Sequence, residues 1–377
     1  MRFLHTADWH IGKKLHGYDL LTEQEDAYRQ IKAIALAEQV DAVVIAGDLY
    51  DRALPGEDAV AVLDHMLVDL NRQEHLPVLA ISGNHDSAVR LGYGREWFAS
   101  THFYLKTTVA ESLHPVTVGD TQFFLLPYFE PFAVRQLFDD PEIRTVTQAM
   151  VRLVTAMKAA FDPAKKHVLV AHFFAAGSQH SDSETLVQVG GLNAVPTDLL
   201  RDFDYVALGH LHRKEALQSE PTMKYSGSPL KFSTSEADDT KGVWLVDTAT
   251  TPVTVTFKPL TPLHDLVVLQ DSFDHLMDPQ QAYPVTKEDF VTIGLTDTTP
   301  ISNVMQRLKT RFPRIIELKR VNQLTVTPKV MTTQETQRDP LTLMGDFFEQ
   351  VTQHELTAQQ QAWAKTALQA AEKGAKK

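Results

Sequence analysis

Eight polar residues stand where an α/β protein places its chemistry. Asp8 and His10, Asp48, Asn84 and His85, His172, and His210 with His212 each follow a short apolar run. In open α/β sheets, ligands gather outside the carboxyl ends of such strands. The run Val43-Val44-Ile45-Ala46-Gly47-Asp48 is the clearest case. Its β-branched, apolar residues read as a strand buried on both faces. The glycine lets the backbone come close, and the carboxylate can offer one oxygen to each of two cations. Taken singly, Asp-x-His, Gly-Asp and Gly-His-x-His are weak signals, because short motifs arise by chance. In order along one chain they form a set of oxygen and imidazole donors without thiolate. Such a set suits manganese, iron or zinc better than calcium or a structural zinc, and its size suits two ions.

The elements that must position these residues can be read from periodicity. A strand over 2–6 leads into Asp8 and His10, and a helix follows from about Thr22, with Glu25 three residues on in a capping-box pattern. After the strand that ends at Asp48, Pro55 and Gly56 break the chain before a helix carrying Val60, Leu63, Met66, Leu67 and Leu70. A strand over 77–81 then runs into Ser82-Gly83-Asn84-His85-Asp86, giving βαβαβ. Residues 116–126 read as a hairpin around Gly119-Asp120, 145–161 as a helix, 167–171 as a strand ending in His172, 177–190 as a loop near the site, and 205–208 as a strand. Segments 223–228, 242–247 and 253–257 read as consecutive strands completing a second, largely antiparallel sheet. The expected fold class is therefore α/β, a two-sheet sandwich with outer helices.

The pattern changes at 261–263. Residues 265–335 predict a small α/β domain, with strands at 290–295 and 314–319 and a helix over 302–311. From Pro340 the chain is helical in pattern and ends in a Gln-, Ala- and Lys-rich segment whose thin apolar face needs a partner or stays mobile. The expected divisions are 1–262, 263–337 and 338–377.

Composition bounds the function. The 377 residues, 22% charged and 43% hydrophobic, describe an ordinary soluble protein with ample core. No cysteine is present, so disulfides, thiolate metal sites and cysteine nucleophiles are excluded. The N-terminus reaches a polar residue too soon for a signal peptide and no run approaches membrane-spanning length, so a cytoplasmic protein without a membrane partner is expected. A net charge of -12 argues against coating nucleic acid by charge alone. One stretch, 301–331, departs from that balance: Arg307, Lys309, Arg311, Arg314, Lys319, Arg320 and Lys329 face the single acid Glu317. Such a run reads as a solvated face before anything else.

The signatures Asp8-x-His10, Gly47-Asp48, Gly83-Asn84-His85-Asp86, His172 and Gly209-His210-x-His212 resemble those of the calcineurin-like metallophosphoesterases. More narrowly, residues 3–12, Ala46-Gly47-Asp48-Leu49-Tyr50-Asp51, residues 207–213 and Tyr225-Ser226-Gly227-Ser228-Pro229 are similar to the SbcD family of bacterial nuclease subunits. The likeness spans the chain, strong to about residue 260 and weak in the tail. It implies that Asp8, His10, Asp48 and His212 hold one metal and that Asp48, Asn84, His172 and His210 hold another, most readily manganese. His85 would face the substrate phosphate as the catalytic group. Asp51 stands where archaeal and eukaryotic relatives carry a histidine, and with Asp86 it is expected behind the ligands rather than as a catalytic acid. His5 and His16 are expected to be structural.

The resemblance further implies a cap formed by 265–335 that contacts DNA, a tail that docks on the SbcC ATPase, and a homodimer within a heterotetramer. Leu63, Met66, Leu91, Trp97 and Phe98 are candidates for the dimer face. The function implied is ATP-dependent double-strand exonuclease and single-strand or hairpin endonuclease activity in DNA repair, recombination and replication. A phosphodiesterase or phosphatase for small nucleotides is the enzymatic alternative; a DNA-end-binding scaffold is the alternative outside enzymes.

Overall fold

The computed structural model describes residues 1–178, 194–321, 339–352 and 355–374. The loop expected over 177–190 and Lys329 of the basic run therefore lie largely or wholly outside the described residues.

The chain opens with β1 (Arg2–Thr6), a small hairpin of β2 (Lys14–Leu15) and β3 (Tyr18–Asp19), then α1 (Leu21–Ala37), β4 (Ala42–Ile45), α2 (Glu57–Val68) and β5 (Val78–Ile81). Two short helices, α3 (Ala88–Leu91) and α4 (Arg95–Ala99), lead to β6 (Phe103–Lys106). The hairpin of β7 (Val116–Val118) and β8 (Thr121–Leu126) precedes α5 (Pro131–Phe138), α6 (Val146–Lys158), β9 (Lys166–His172), β10 (Tyr205–Gly209) and β11 (Met223–Tyr225). Then come β12 (Gly242–Asp247) and β13 (Thr254–Pro259). Two sheets result, ordered β13-β12-β1-β4-β5-β6 and β11-β10-β9-β8-β7.

The continuous apolar runs have a physical cause: each central strand is buried on both sides. In β1, Phe3 turns to the layer between the sheets and Leu4 to the layer under the helices. Val44 and Val43 divide the same way in β4. In the second sheet Phe123, Val168 and Tyr205 join the central layer, while Phe124, Leu169 and Val206 pack under α5 and α6. Phe3 sits edge-on to Phe123 and Tyr205, with ring centroids 5.3 and 5.8 Å apart, stitching the two sheets together.

Two expectations are corrected. The second sheet is not largely antiparallel: β11 pairs parallel with β10, while β12 and β13 leave for the first sheet, where β12 covers the free edge of β1 in antiparallel register. Strand sequences show burial, not which edge needs covering. The α1 cap is not Thr22 either. The helix begins at Leu21, whose amide donates to the Asp19 carboxylate at 2.9 Å, so the capping function falls two residues before the helix starts.

The chain divides into two compact units, Met1–Leu269 with Tyr283–Thr292 and Lys309–Glu317, and Gln270–Ala282 with Ile293–Leu308 and Leu318–Lys377. Along the remainder of the chain lie β14 (Leu266–Asp271), α7 (Phe273–Met277), β15 (Phe290–Leu295), α8 (Val304–Leu308) and β16 (Ile315–Arg320), with strand order β14-β15-β16. The helix expected over 302–311 is shorter, beginning after Asn303 in the left-handed region. The tail folds as α9 (Pro340–Thr352) and α10 (Ala358–Gly374). Among the described residues no helix is long and apolar enough to cross a membrane.

Candidate metal centre

All eight polar residues lie in the first unit, and the fold brings them together. β1, β4 and β5 of one sheet and β9 and β10 of the other deliver them from their carboxyl ends. The loops after β1 and β4 are zipped to each other: the amides of Asp8, His10 and Ile11 donate to the carbonyls of Gly47, Asp48 and Leu49 at 3.0, 3.0 and 2.9 Å. Four of the eight residues adopt the left-handed conformation that non-glycine residues avoid, Asp8 (φ 53°), His10 (45°), Asp48 (50°) and His210 (96°). Each such residue costs about 1–3 kcal/mol and persists only where its surroundings over-determine it. The glycines of the signatures answer to close packing, and Gly47 to a left-handed φ of 92° as well. A Cβ on Gly47 would lie 2.3 Å from His172 Nδ1, and one on Gly83 2.1 Å from Asp48 Oδ1. One ligand occupies the space of the other loop's missing side chain.

The donors fall into two groups that share Asp48. On one side His10 Nε2 lies 3.1 Å from His212 Nε2 and 3.6 Å from Asp48 Oδ2, with Asp8 beside them and also close to Asp48 and His172. On the other, Asn84 Oδ1 lies 3.0 Å from His172 Nε2 and 2.8 Å from His210 Nδ1, and Asp48 Oδ2 is 3.3 Å from His172 Nε2. His172 supplies the fit test for a cation. Its Nδ1 lies 2.8 Å from the Ala46 carbonyl and must donate there. With Nδ1 so committed, Nε2 faces two acceptor oxygens, a placement that either a second ring proton or a bound cation satisfies. The 3.1 Å between the His10 and His212 nitrogens is likewise near the edge of about 3.4 Å expected for two ligands of one tetrahedral ion. The donor set fits divalent metal.

The electrostatics agree. Burial, only partly offset by His172 and His212, pushes the Asp8 carboxyl up to about 7. Burial also raises Asp48, but the His172 imidazole, with His10 and His85, outweighs it and holds that carboxyl well below its usual range. His172, which burial would lower, is pushed up to about 9 by Asp48. Burial lowers His10 well below its ordinary value and His210 to about 3, keeping both neutral and able to bind metal.

The remaining predicted residues take supporting positions. His85 is half-buried; its amide donates to Asp48 Oδ1 at 2.8 Å and its Nδ1 lies 2.8 Å from the Asp51 carbonyl. The Asp51 carboxylate pairs with Lys13 Nζ at 2.8 Å and stands 3.9 Å from His10 Nδ1. Asp86 accepts from the amides of Leu49, Tyr50 and Gly83 at 3.1, 3.0 and 2.9 Å, fastening the Asp48 loop to the Asn84 loop. His5 is buried with its Nδ1 3.0 Å from the Tyr205 hydroxyl, and His16 is exposed in the turn after β2. Gln24, which sequence reasoning missed, donates to the carbonyls of Trp9 and His10 at 3.2 and 2.7 Å and accepts from the Gly12 amide at 3.0 Å. No motif marks it; a buried glutamine in the first turn of an amphipathic helix is the only signal.

The fold and this donor set are those of a metal-dependent hydrolase of phosphodiester bonds. Residues 1–214 match the calcineurin-like phosphoesterase family, and the chain belongs to it. A second match, over 262–352, is to a domain described as the type 5 capsule protein repressor C-terminal domain. The chain is 35% identical over 322 residues to the SbcD component of the SbcCD nuclease of Staphylococcus epidermidis, covering 85% of this chain and 86% of the relative. It is 34% identical over 365 residues to the protein of the same name from Staphylococcus saprophyticus, 96% of each. Within the phosphoesterases, it belongs with the SbcD proteins.

Proposed function

We propose that this chain is the nuclease subunit of an SbcCD-type complex and hydrolyses DNA phosphodiester bonds with two manganese ions. Asp8, His10, Asp48 and His212 hold one ion, and Asp48, Asn84, His172 and His210 the other. The observation that carries this reading is the position of Asp48, whose carboxylate stands between two imidazole groups fed by opposite sheets. Cations held by these residues would supply the positive charge that polarises the phosphate and activates water at neutral pH. His85, held through its amide and Nδ1, would offer Nε2 to a phosphate oxygen or the leaving sugar oxygen, to bind growing charge or give up a proton. Asp51 and Asp86 orient the loops that carry these groups.

The partner in this reading is the SbcC ATPase, with α9 and α10 as the docking segment, and the work is ATP-dependent exonuclease and endonuclease cleavage in the cytoplasm during DNA repair, recombination and replication. Residues 1–262 form the nuclease region, 263–337 the DNA-contacting cap and 338–377 the docking segment. A homodimer is supported by a groove of about 540 Å³ between α2 and α4, rimmed by exposed Tyr93 and Trp97. Leu63 and Met66, by contrast, belong to the core.

The test incubates the full chain with linear duplex DNA and Mn²⁺, with and without SbcC and ATP. Cleavage should be stimulated by the partner and lost in both His85→Ala and Asp48→Ala, while only Asp48→Ala lowers the bound metal count. Intact DNA under every condition, with hydrolysis of a small aryl phosphodiester, overturns the DNA assignment.

A further inference from the structure

Glu236 lies in a turn remote in sequence from every ligand signature, and its side chain is wholly buried. Its Oε2 accepts from Lys241 Nζ at 2.5 Å and its Oε1 from Ser233 Oγ at 3.0 Å. Oε1 also stands 3.7 Å from His212 Nδ1, beyond hydrogen-bond range but close for charges removed from water. Lys241, itself buried, donates to the His212 carbonyl at 2.8 Å and to Ser228 Oγ at 3.2 Å. One end of this buried ion pair therefore faces the ring of His212 and the other holds its main chain. The other nitrogen of that ring, Nε2, is the one 3.1 Å from His10 Nε2.

A buried ion pair is a poor way merely to fasten a turn, because desolvation consumes most of its attraction. A carboxylate behind a metal-binding imidazole has a better use: it fixes the ring and strengthens its donor nitrogen. We propose that Glu236 and Lys241 are positioning residues for the cation held by His212, Glu236 by lending negative charge behind the ring and Lys241 by tying that charge to the His212 backbone. The inference rests on the metal-centre reading above. It carries a signature that packing alone does not. Glu236→Gln leaves the Lys241 ammonium near the site with, among the described residues, only Asp239 at 3.8 Å to balance it, a carboxylate already paired with Arg213, so the residual charge repels the incoming cation. Removing the lysine as well should undo part of that damage.

The experiment measures Mn²⁺ binding to the full chain by electron paramagnetic resonance, with thermal melts alongside. Glu236→Gln should weaken one site by about 10- to 100-fold, and Glu236→Gln/Lys241→Met should recover part of that loss. Wild-type affinity in Glu236→Gln, or a double variant weaker than the single, overturns the proposal. If Glu236→Gln does not fold, Glu236→Asp decides: it keeps the charge but draws it back from the ring, so affinity should fall, and wild-type affinity overturns the idea. A wild-type chain that binds no Mn²⁺ would instead sink the metal-centre reading itself.

Discussion

A methyl group at position 83 has nowhere to go. It would lie 2.1 Å from Asp48 Oδ1 and 2.4 Å from the Asp48 amide, both fixed by the loop that carries the shared ligand. Gly83→Ala should therefore displace Asp48, lower the bound Mn²⁺ count and cost on the order of 1–3 kcal/mol in a denaturant titration. Gly119→Ala is the control. Gly119, unlike Gly83, is left-handed (φ 57°) and has open space around it, so that variant should lose only about 1 kcal/mol and bind metal normally. The comparison separates a glycine needed for its φ from one needed for its emptiness. At this scale the ligands were legible because each sits in a short signature after an apolar run. Gln24, Glu236 and Lys241 were not, because their roles depend on neighbours up to some tens of residues away and no local pattern records them.

Among the elements, α1 links the metal loop to the chain beyond the sandwich. Its buried Glu23 accepts from His264 Nδ1 at 2.8 Å and from Arg314 at 3.4 Å, while the next residue, Gln24, grips the Trp9–Gly12 backbone. Gln24→Ala takes the glutamine from the Gly12 amide and the Trp9 carbonyl and leaves the His10 carbonyl only the Lys13 amide at 3.0 Å, at a cost of about 1–3 kcal/mol. Because His10 is left-handed, the loosened loop should relax toward an ordinary φ there. The expected result is a lower melting temperature together with weaker Mn²⁺ binding, read by calorimetry and metal titration on one sample. A fall in stability with unchanged metal affinity would reduce Gln24 to ordinary packing. Elements were mostly legible: β1, the Asp48 strand, the Gly119 hairpin and the α6 helix stand within a few residues of expectation. The transfer of β12 and β13 to the first sheet was not, since edge choice is settled by long-range pairing.

For the whole molecule, the basic run shows why charge in sequence is not charge in space. Arg307 lies over the Phe273 ring, Arg314 reaches Glu23, and Arg320 donates to the carbonyls of Asp297 and Thr299, so these three charges have partners within the chain even though Arg307 and Arg320 are exposed. The larger charge effect is at the metal centre, and it makes stability depend on pH in opposite ways with and without metal. Without metal, the folded-state value of His172 is raised, so its contribution is complete below the unfolded value near 6.5 and is lost as pH rises through about 9. Asp8, raised to about 7, costs stability as pH climbs toward that value and little more beyond it. The lowered values of His10 and His210 act only below about 6.5, where the unfolded chain takes up protons. Between pH 7 and 8.5 the His172 effect is therefore the main one in play at this site, and the chelated chain should lose stability, by at most a few kcal/mol. With Mn²⁺ present the same rise in pH frees ligands for the cation, and binding at a thousandfold excess over Kd adds about 4 kcal/mol. Melting temperatures in chelator and in Mn²⁺ at about pH 7, 7.75 and 8.5 should thus diverge, the first falling and the second holding or rising. Parallel curves would mean that His172 does not hold a second proton against Asp48 in the metal-free chain, so that proton and cation would not compete for its Nε2.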